Sequence, residues 1–86
     1  MKHKSLTTDE RYLVRLFEMA LKFEGVYSEV DRYAIGQNLS INDKSVDNIV
    51  RMLAQTNFIK KGEGSAIYLT PHGEQFVHSL KKQLQG

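Results

Sequence analysis

The chain's only proline, Pro71, lies in "SAIYLTPHGEQF", directly after a run suited to a strand and directly before one suited to a helix. Proline has no amide hydrogen to give to a ladder, so it ends a strand. At the first position of a helix that hydrogen is not needed, and the ring presets φ. Thr70 is then the cap of a helix whose apolar stripe is Phe76, Val77, Leu80 and Leu84. The strand before it, Ala66 to Leu69, needs a partner. Phe58-Ile59-Lys60-Lys61 supplies one across Gly62-Glu63-Gly64-Ser65, a turn whose two glycines accept positive φ. The junction thus predicts a β-hairpin over 58–69 followed by a helix.

Everything upstream reads as helix. Thr7 and Glu10 have the spacing of a capping box, with Asp9 and Glu10 in the positive end of the helix dipole. Polar Arg11, Arg15, Glu18 and Lys22 form one narrow wet stripe, and the rest of this first helix, to Glu24, is largely apolar. Gly25 is placed to stop it. Val26-Tyr27-Ser28 is expected to be a very short strand. A second helix starts after Ser28 or, better, Asp31, and carries Ile35, Gly36 and Leu39 on its packing side. Gly36 lets another helix approach closely. After Ser40-Ile41-Asn42, Asn42 caps a third helix over about 43–56. Its core face is Val46, Ile49, Val50 and Leu53, and its opposite face Lys44, Asp47, Asn48, Arg51 and Gln55. Asn57 suits a left-handed residue at its end.

The expected fold is mainly α with a small β-hairpin, in the order helix, short strand, helix, helix, hairpin, helix. At 86 residues the chain suits one domain spanning 1–86, with 1–5 a loose tail. With no cysteine there is no disulfide framework or thiolate metal site, and a reducing cytoplasm is the expected location. No apolar run approaches a membrane span, and Met1-Lys2-His3-Lys4 lacks the apolar stretch of a signal peptide. His3, His72 and His78 make no metal-ligand pattern. No nucleophile-elbow or Walker motif is present, so neither catalysis nor a cofactor is expected. A net charge of +2 is compatible with nucleic acid without arguing for it.

The stretch "IGQNLSINDKSVDNIVRMLAQTNFIKK" resembles the helix-turn-helix and first wing strand of bacterial and archaeal transcription regulators. Gly36, Leu39, Ile41 and Val46 fall at the small and apolar positions of that motif. "IYLTPHGEQF" is similar to the wing-to-helix junction of MarR-like and PadR-like regulators, where aromatic-Leu-Thr-x-x-Gly recurs. Together the matches cover about residues 7 to 76. Such families often carry Gly where this chain has Ser40 and Asn57. The resemblance implies a winged helix-turn-helix domain that binds double-stranded DNA, with helix three in the major groove. Lys44, Asp47, Asn48 and Arg51 are then the candidate base readers, Asn48 suited to adenine and Arg51 to guanine. Arg32, Lys60, Lys61 and Ser65 are the candidates for backbone and wing contacts, the wing over 58–69 lying on the backbone or in the minor groove.

The apolar surface of helix one has two explanations. Helices two, three and four cover it, or Tyr12, Met19 and Phe23, with Leu84 from the last helix, form the interface of a homodimer reading two half-sites. The face of helix three also has two. Asp43, Lys44, Asp47 and Arg51 sum to zero charge, which favours a protein partner over DNA; the turn sequence and basic flanks favour DNA.

Overall fold

Thr7 opens the first helix as its spacing predicts. Its hydroxyl accepts from the Glu10 amide at 3.2 Å, and the Glu10 carboxylate accepts from the Thr7 amide at 2.9 Å. A computed structural model describes residues 5–85; the expected loose tail, the N-terminal basic run and His3 fall outside the described residues, Ser5 excepted. The elements are α1 (Thr8–Leu21), β1 (Val30–Asp31), α2 (Arg32–Asn38), α3 (Asp43–Gln55), β2 (Ile59–Lys61), β3 (Ala66–Leu69) and α4 (Pro71–Gln85). The architecture is mainly helical, with one small antiparallel sheet in the order β1-β3-β2.

The helix α1 is the central element. It buries Tyr12, Leu13, Leu16, Phe17 and Ala20, and touches α2, α3, α4, β1 and β3. It ends at Leu21, three residues before the expected Glu24. There Lys22 and Phe23 switch to the tighter bonds onto Met19 and Ala20, and Gly25 takes φ +138°. Residues Val26-Tyr27-Ser28 form no strand. The Ser28 amide closes a turn onto Gly25, and the Ser28 hydroxyl accepts from the Glu24 amide at 2.9 Å. The short strand comes two residues later, at Val30, whose side chain is buried opposite Ile67. Asp31 is the N-cap of α2, but its carboxylate makes no bond to the helix.

The helices α2 and α3 end alike. In α2 the Ser40 amide bonds Gln37 O and the Ile41 amide bonds Gly36 O; in α3 the Asn57 amide bonds Ala54 O and the Phe58 amide bonds Leu53 O. Both are Schellman closures, which need a left-handed residue just past the cap. Ser40 (φ 59°) and Asn57 (φ 65°) fill those places in the positions where a glycine would be unstrained. Because Phe58 is spent on closing α3, strand β2 begins one residue later than expected, at Ile59.

Between α2 and α3 the contact runs over Gly36. A β-carbon there would lie 2.4 Å from Val46 Cγ2, so this face admits no side chain. The hairpin pairs Ile59 with Leu69, Lys60 with Tyr68 and Lys61 with Ile67. At the junction that follows, the Thr70 hydroxyl donates to Asn57 O and accepts from the Gly73 amide, while the Thr70 amide bonds Phe58 O. One residue thus joins the end of α3 to the start of α4. With Val30, the residues Ile35, Val46, Ile49, Val50, Leu53, Ile59, Ile67, Leu69, Val77 and Leu80 complete the core beneath α1.

Candidate nucleic-acid interface

Asn42 sets the start of α3 by accepting from the Ser45 amide at 2.9 Å. With the helix phase fixed and Val46, Ile49, Val50 and Leu53 buried, the other face is dictated: Lys44, Asp47, Asn48, Arg51 and Gln55 are all exposed. This matches the sequence reading residue by residue. Arg51 Nη2 donates to Asn48 Oδ1 at 3.0 Å, so the two candidate readers stand as a braced pair.

Asp47 is not free. Its Oδ1 accepts from the Tyr33 hydroxyl at 2.8 Å and faces Arg32 Nη1 at 3.6 Å. The carboxylate raises the Tyr33 hydroxyl above its ordinary pKa, through that hydrogen bond first. Asp47's charge is met from α2, and Arg32 belongs in the local tally. With Arg32 comes Asp31, which binds Ser65 beside it, so Arg32, Lys44 and Arg51 against Asp31, Asp43 and Asp47 still sum to zero. Tyr33 is not among the residues the sequence singles out, and the only signal for it is its place beside Arg32.

Two of the backbone candidates are redirected. Arg32 is turned inward, its side chain 12% exposed. Its Nε donates to Ser65 O at 3.0 Å, and its backbone amide donates to the same oxygen at 3.1 Å. The Ser65 hydroxyl donates to Asp31 Oδ1. Arg32 and Ser65 therefore bind each other's neighbourhood instead of facing outward for phosphate. The reason is that β1 lies against β3, which brings the hairpin turn onto the start of α2. Lys60 and Lys61 remain exposed, and neither is in an ion pair among the described residues.

The expected dimer stripe is broken up as well. Tyr12 is fully buried, its hydroxyl donating to Arg32 O at 2.9 Å, and burial pushes its pKa far above the ordinary value. It cannot meet a second subunit. Met19 is half-buried against the core, whereas Phe23 (64%) and Leu84 (40%) stand exposed. Leu21, which the sequence does not single out, joins them because α1 stops there. Glu18 and Lys81 pair at 3.3 Å between α1 and α4. Leu21 and Leu84 each lie three residues beyond that pair, on the same helix faces.

No group of three or more His, Asp or Glu among the described residues is arranged to hold a metal. No described helix is long and apolar enough to cross a membrane. In comparisons with protein-family models and with curated proteins, the sequence matches none.

Proposed function

We propose that the chain is a winged helix-turn-helix domain that binds double-stranded DNA as a transcription regulator in the cytoplasm. The α2–α3 pair is the helix-turn-helix, α3 enters the major groove, and the β2–β3 hairpin is the wing. The carrying observation is the exposed face of α3, where Lys44 and the braced Asn48–Arg51 pair stand clear of the core. A helix of this size fits the major groove, where Arg suits guanine and Asn suits adenine. Lys60 and Lys61 on the hairpin supply charge for phosphates, which fix register without reading sequence. Two copies reading successive half-sites would meet through Leu21, Phe23 and Leu84, the large apolar residues left exposed at the ends of α1 and α4.

Titration against random-sequence and genomic duplexes at two salt concentrations tests the proposal. Binding through phosphates weakens steeply with salt, and a regulator prefers some fragments over others. Salt-insensitive or absent binding removes the reading.

A second reading has one observation in its favour. Met52, on α3 itself, is 49% exposed beside an apolar groove of about 390 Å³ between the start of α1, the end of α3 and the Phe58 and Phe76 side chains. That surface suits a protein partner on the same fold.

A further inference from the structure

We infer that Arg32 is a positioning residue: its guanidinium fixes the β2–β3 hairpin against α3, so that base reading by Asn48 and Arg51 and phosphate grip by Lys60 and Lys61 act as one rigid unit. The inference rests on the DNA-binding reading above and assigns Arg32 a role in it without contact to DNA.

Four segments meet at this residue. From α1, the buried Tyr12 hydroxyl donates to Arg32 O at 2.9 Å and holds its backbone. From the hairpin turn, Ser65 O receives both the Arg32 amide (3.1 Å) and Nε (3.0 Å). From α3, Asp47 Oδ1 faces Nη1 at 3.6 Å, and Tyr33 on α2 steadies that carboxylate with its hydroxyl. Asp31 takes the Ser65 hydroxyl from the other side. One planar fork thus spans from the turn of the hairpin to the exposed face of α3. A lysine's compact ammonium lacks the spread of this fork. The turn has two further side-chain tethers, the Ser65 hydroxyl to Asp31 and the Glu63 amide to Glu29 Oε1 at 3.5 Å, and neither reaches α3. The three-residue strand β2 and the two-residue strand β1 give little stiffness of their own.

The geometry also separates this role from a phosphate contact. A phosphate-gripping arginine stands in solvent; this one is 12% exposed and already has an acidic partner. Removing its head group leaves the Tyr12 and Ser65 bonds to its backbone in place, so Arg32→Met should fold. Asp47→Asn, on the surface, weakens the same link from the other end by removing the charge that faces the guanidinium, while leaving Tyr33 an acceptor.

The test has two arms. In the free protein, amide exchange is measured for Arg32→Met and Asp47→Asn. The expected result is faster exchange, about tenfold, at Gly62 and Ala66, whose amides close the hairpin turn, with the α3 core amides unchanged. On duplex DNA, a double-mutant cycle combines Arg32→Met with Lys60→Ala/Lys61→Ala. If Arg32 positions the lysines, their removal costs little in the Arg32→Met background, and the preferred base sequence stays the same. Additive losses would make Arg32 an independent phosphate contact and overturn the inference. So would unchanged exchange in both variants of a chain that binds duplex. A wild type that binds no duplex instead removes the DNA reading, and this role with it, whatever the exchange arm shows about the hairpin.

Discussion

A β-carbon on residue 73 would lie 2.0 Å from the carbonyl oxygen of Phe58. The glycine in "LTPHG" is therefore required by contact, not by backbone conformation, since φ there is not positive. The Phe58 carbonyl cannot withdraw, because it accepts the Thr70 amide and follows directly on the closure of α3. Gly73→Ala should destabilise the fold by about 3 kcal/mol or more, at the upper end of overpacking costs. Denaturant unfolding checks this, with Gly64→Ala as a contrast: at Gly64 the strain is in φ (+58°), and a β-carbon there meets nothing within 4 Å.

At the end of α2 the opposite change should help. Ser40 holds a left-handed conformation that costs a non-glycine residue roughly 1–2 kcal/mol, against roughly 0.5–1 kcal/mol of extra entropy for glycine. Ser40→Gly should raise the unfolding midpoint by a few degrees, about 4–8 °C for each kcal/mol gained in a domain this small. A lowered midpoint would mean the Ser40 side chain is needed where it is.

Tyr27 and Glu74 predict a pH signature. The Tyr27 hydroxyl donates to Glu74 Oε1 at 2.6 Å, and His78 Nε2 lies 3.4 Å from Oε2. The carboxyl is held below its ordinary pKa, first by the tyrosine and then by the histidine. A group whose folded pKa is depressed contributes stability above its unfolded pKa and loses it as pH falls through the folded value. The Tyr27 hydroxyl is raised by the same bond, so its share is present below pH 10 and lost as pH rises through its folded value. In Tyr27→Phe the Glu74 titration, followed by carboxyl NMR, should move upward, and the acid-side loss of stability should shrink. An unmoved titration would show that the bond does not persist in solution.

On DNA, Asn48→Ala and Arg51→Ala should each cost about 1–3 kcal/mol on the preferred sequence and relax preference at one position. Because Arg51 donates to Asn48, the two losses should not add. Lys60→Ala and Lys61→Ala should weaken all duplexes alike and flatten the salt dependence by about one unit for each phosphate no longer neutralised. Binding titrations across salt distinguish the patterns.

For assembly, Phe23→Ser with Leu84→Ser should shift sedimentation toward monomer without lowering stability, since both side chains are already exposed. Met19→Glu would be a poor probe, because Met19 packs on the core and its loss would confuse unfolding with dissociation. A wild type that sediments as a monomer at high concentration removes the dimer.

What is legible in the sequence is local. Caps at Thr7, Asn42 and Thr70, the buried face of α3 and the hairpin turn are each set by residues a few positions apart, and all appear where spacing puts them. What stays hidden depends on distant pairs. Arg32 reads as a free cation because its partners lie 15 and 33 positions away, at Asp47 and Ser65. Tyr12 reads as available because an amphipathic stripe does not say how much of it the other helices cover. The strand at Val30–Asp31 is two residues long, too short to carry an alternation, and only its pairing with β3 defines it.

The sheet order β1-β3-β2 leaves one side of β2 open, and both exposed side chains on that strand are lysines. An unpaired strand edge is a template for another chain's edge, and lysine is a common guard against such pairing. The same two ammonium groups would thus keep hairpins of separate molecules apart whenever no polyanion covers them. If the chain binds DNA as proposed, neutralising them would trade one kind of association for another: a surface that no longer grips phosphate would become one that can zip to its own copies. Reduced solubility in the double alanine variant, recovered with Glu in place of either Ala, would be the mark of that second duty.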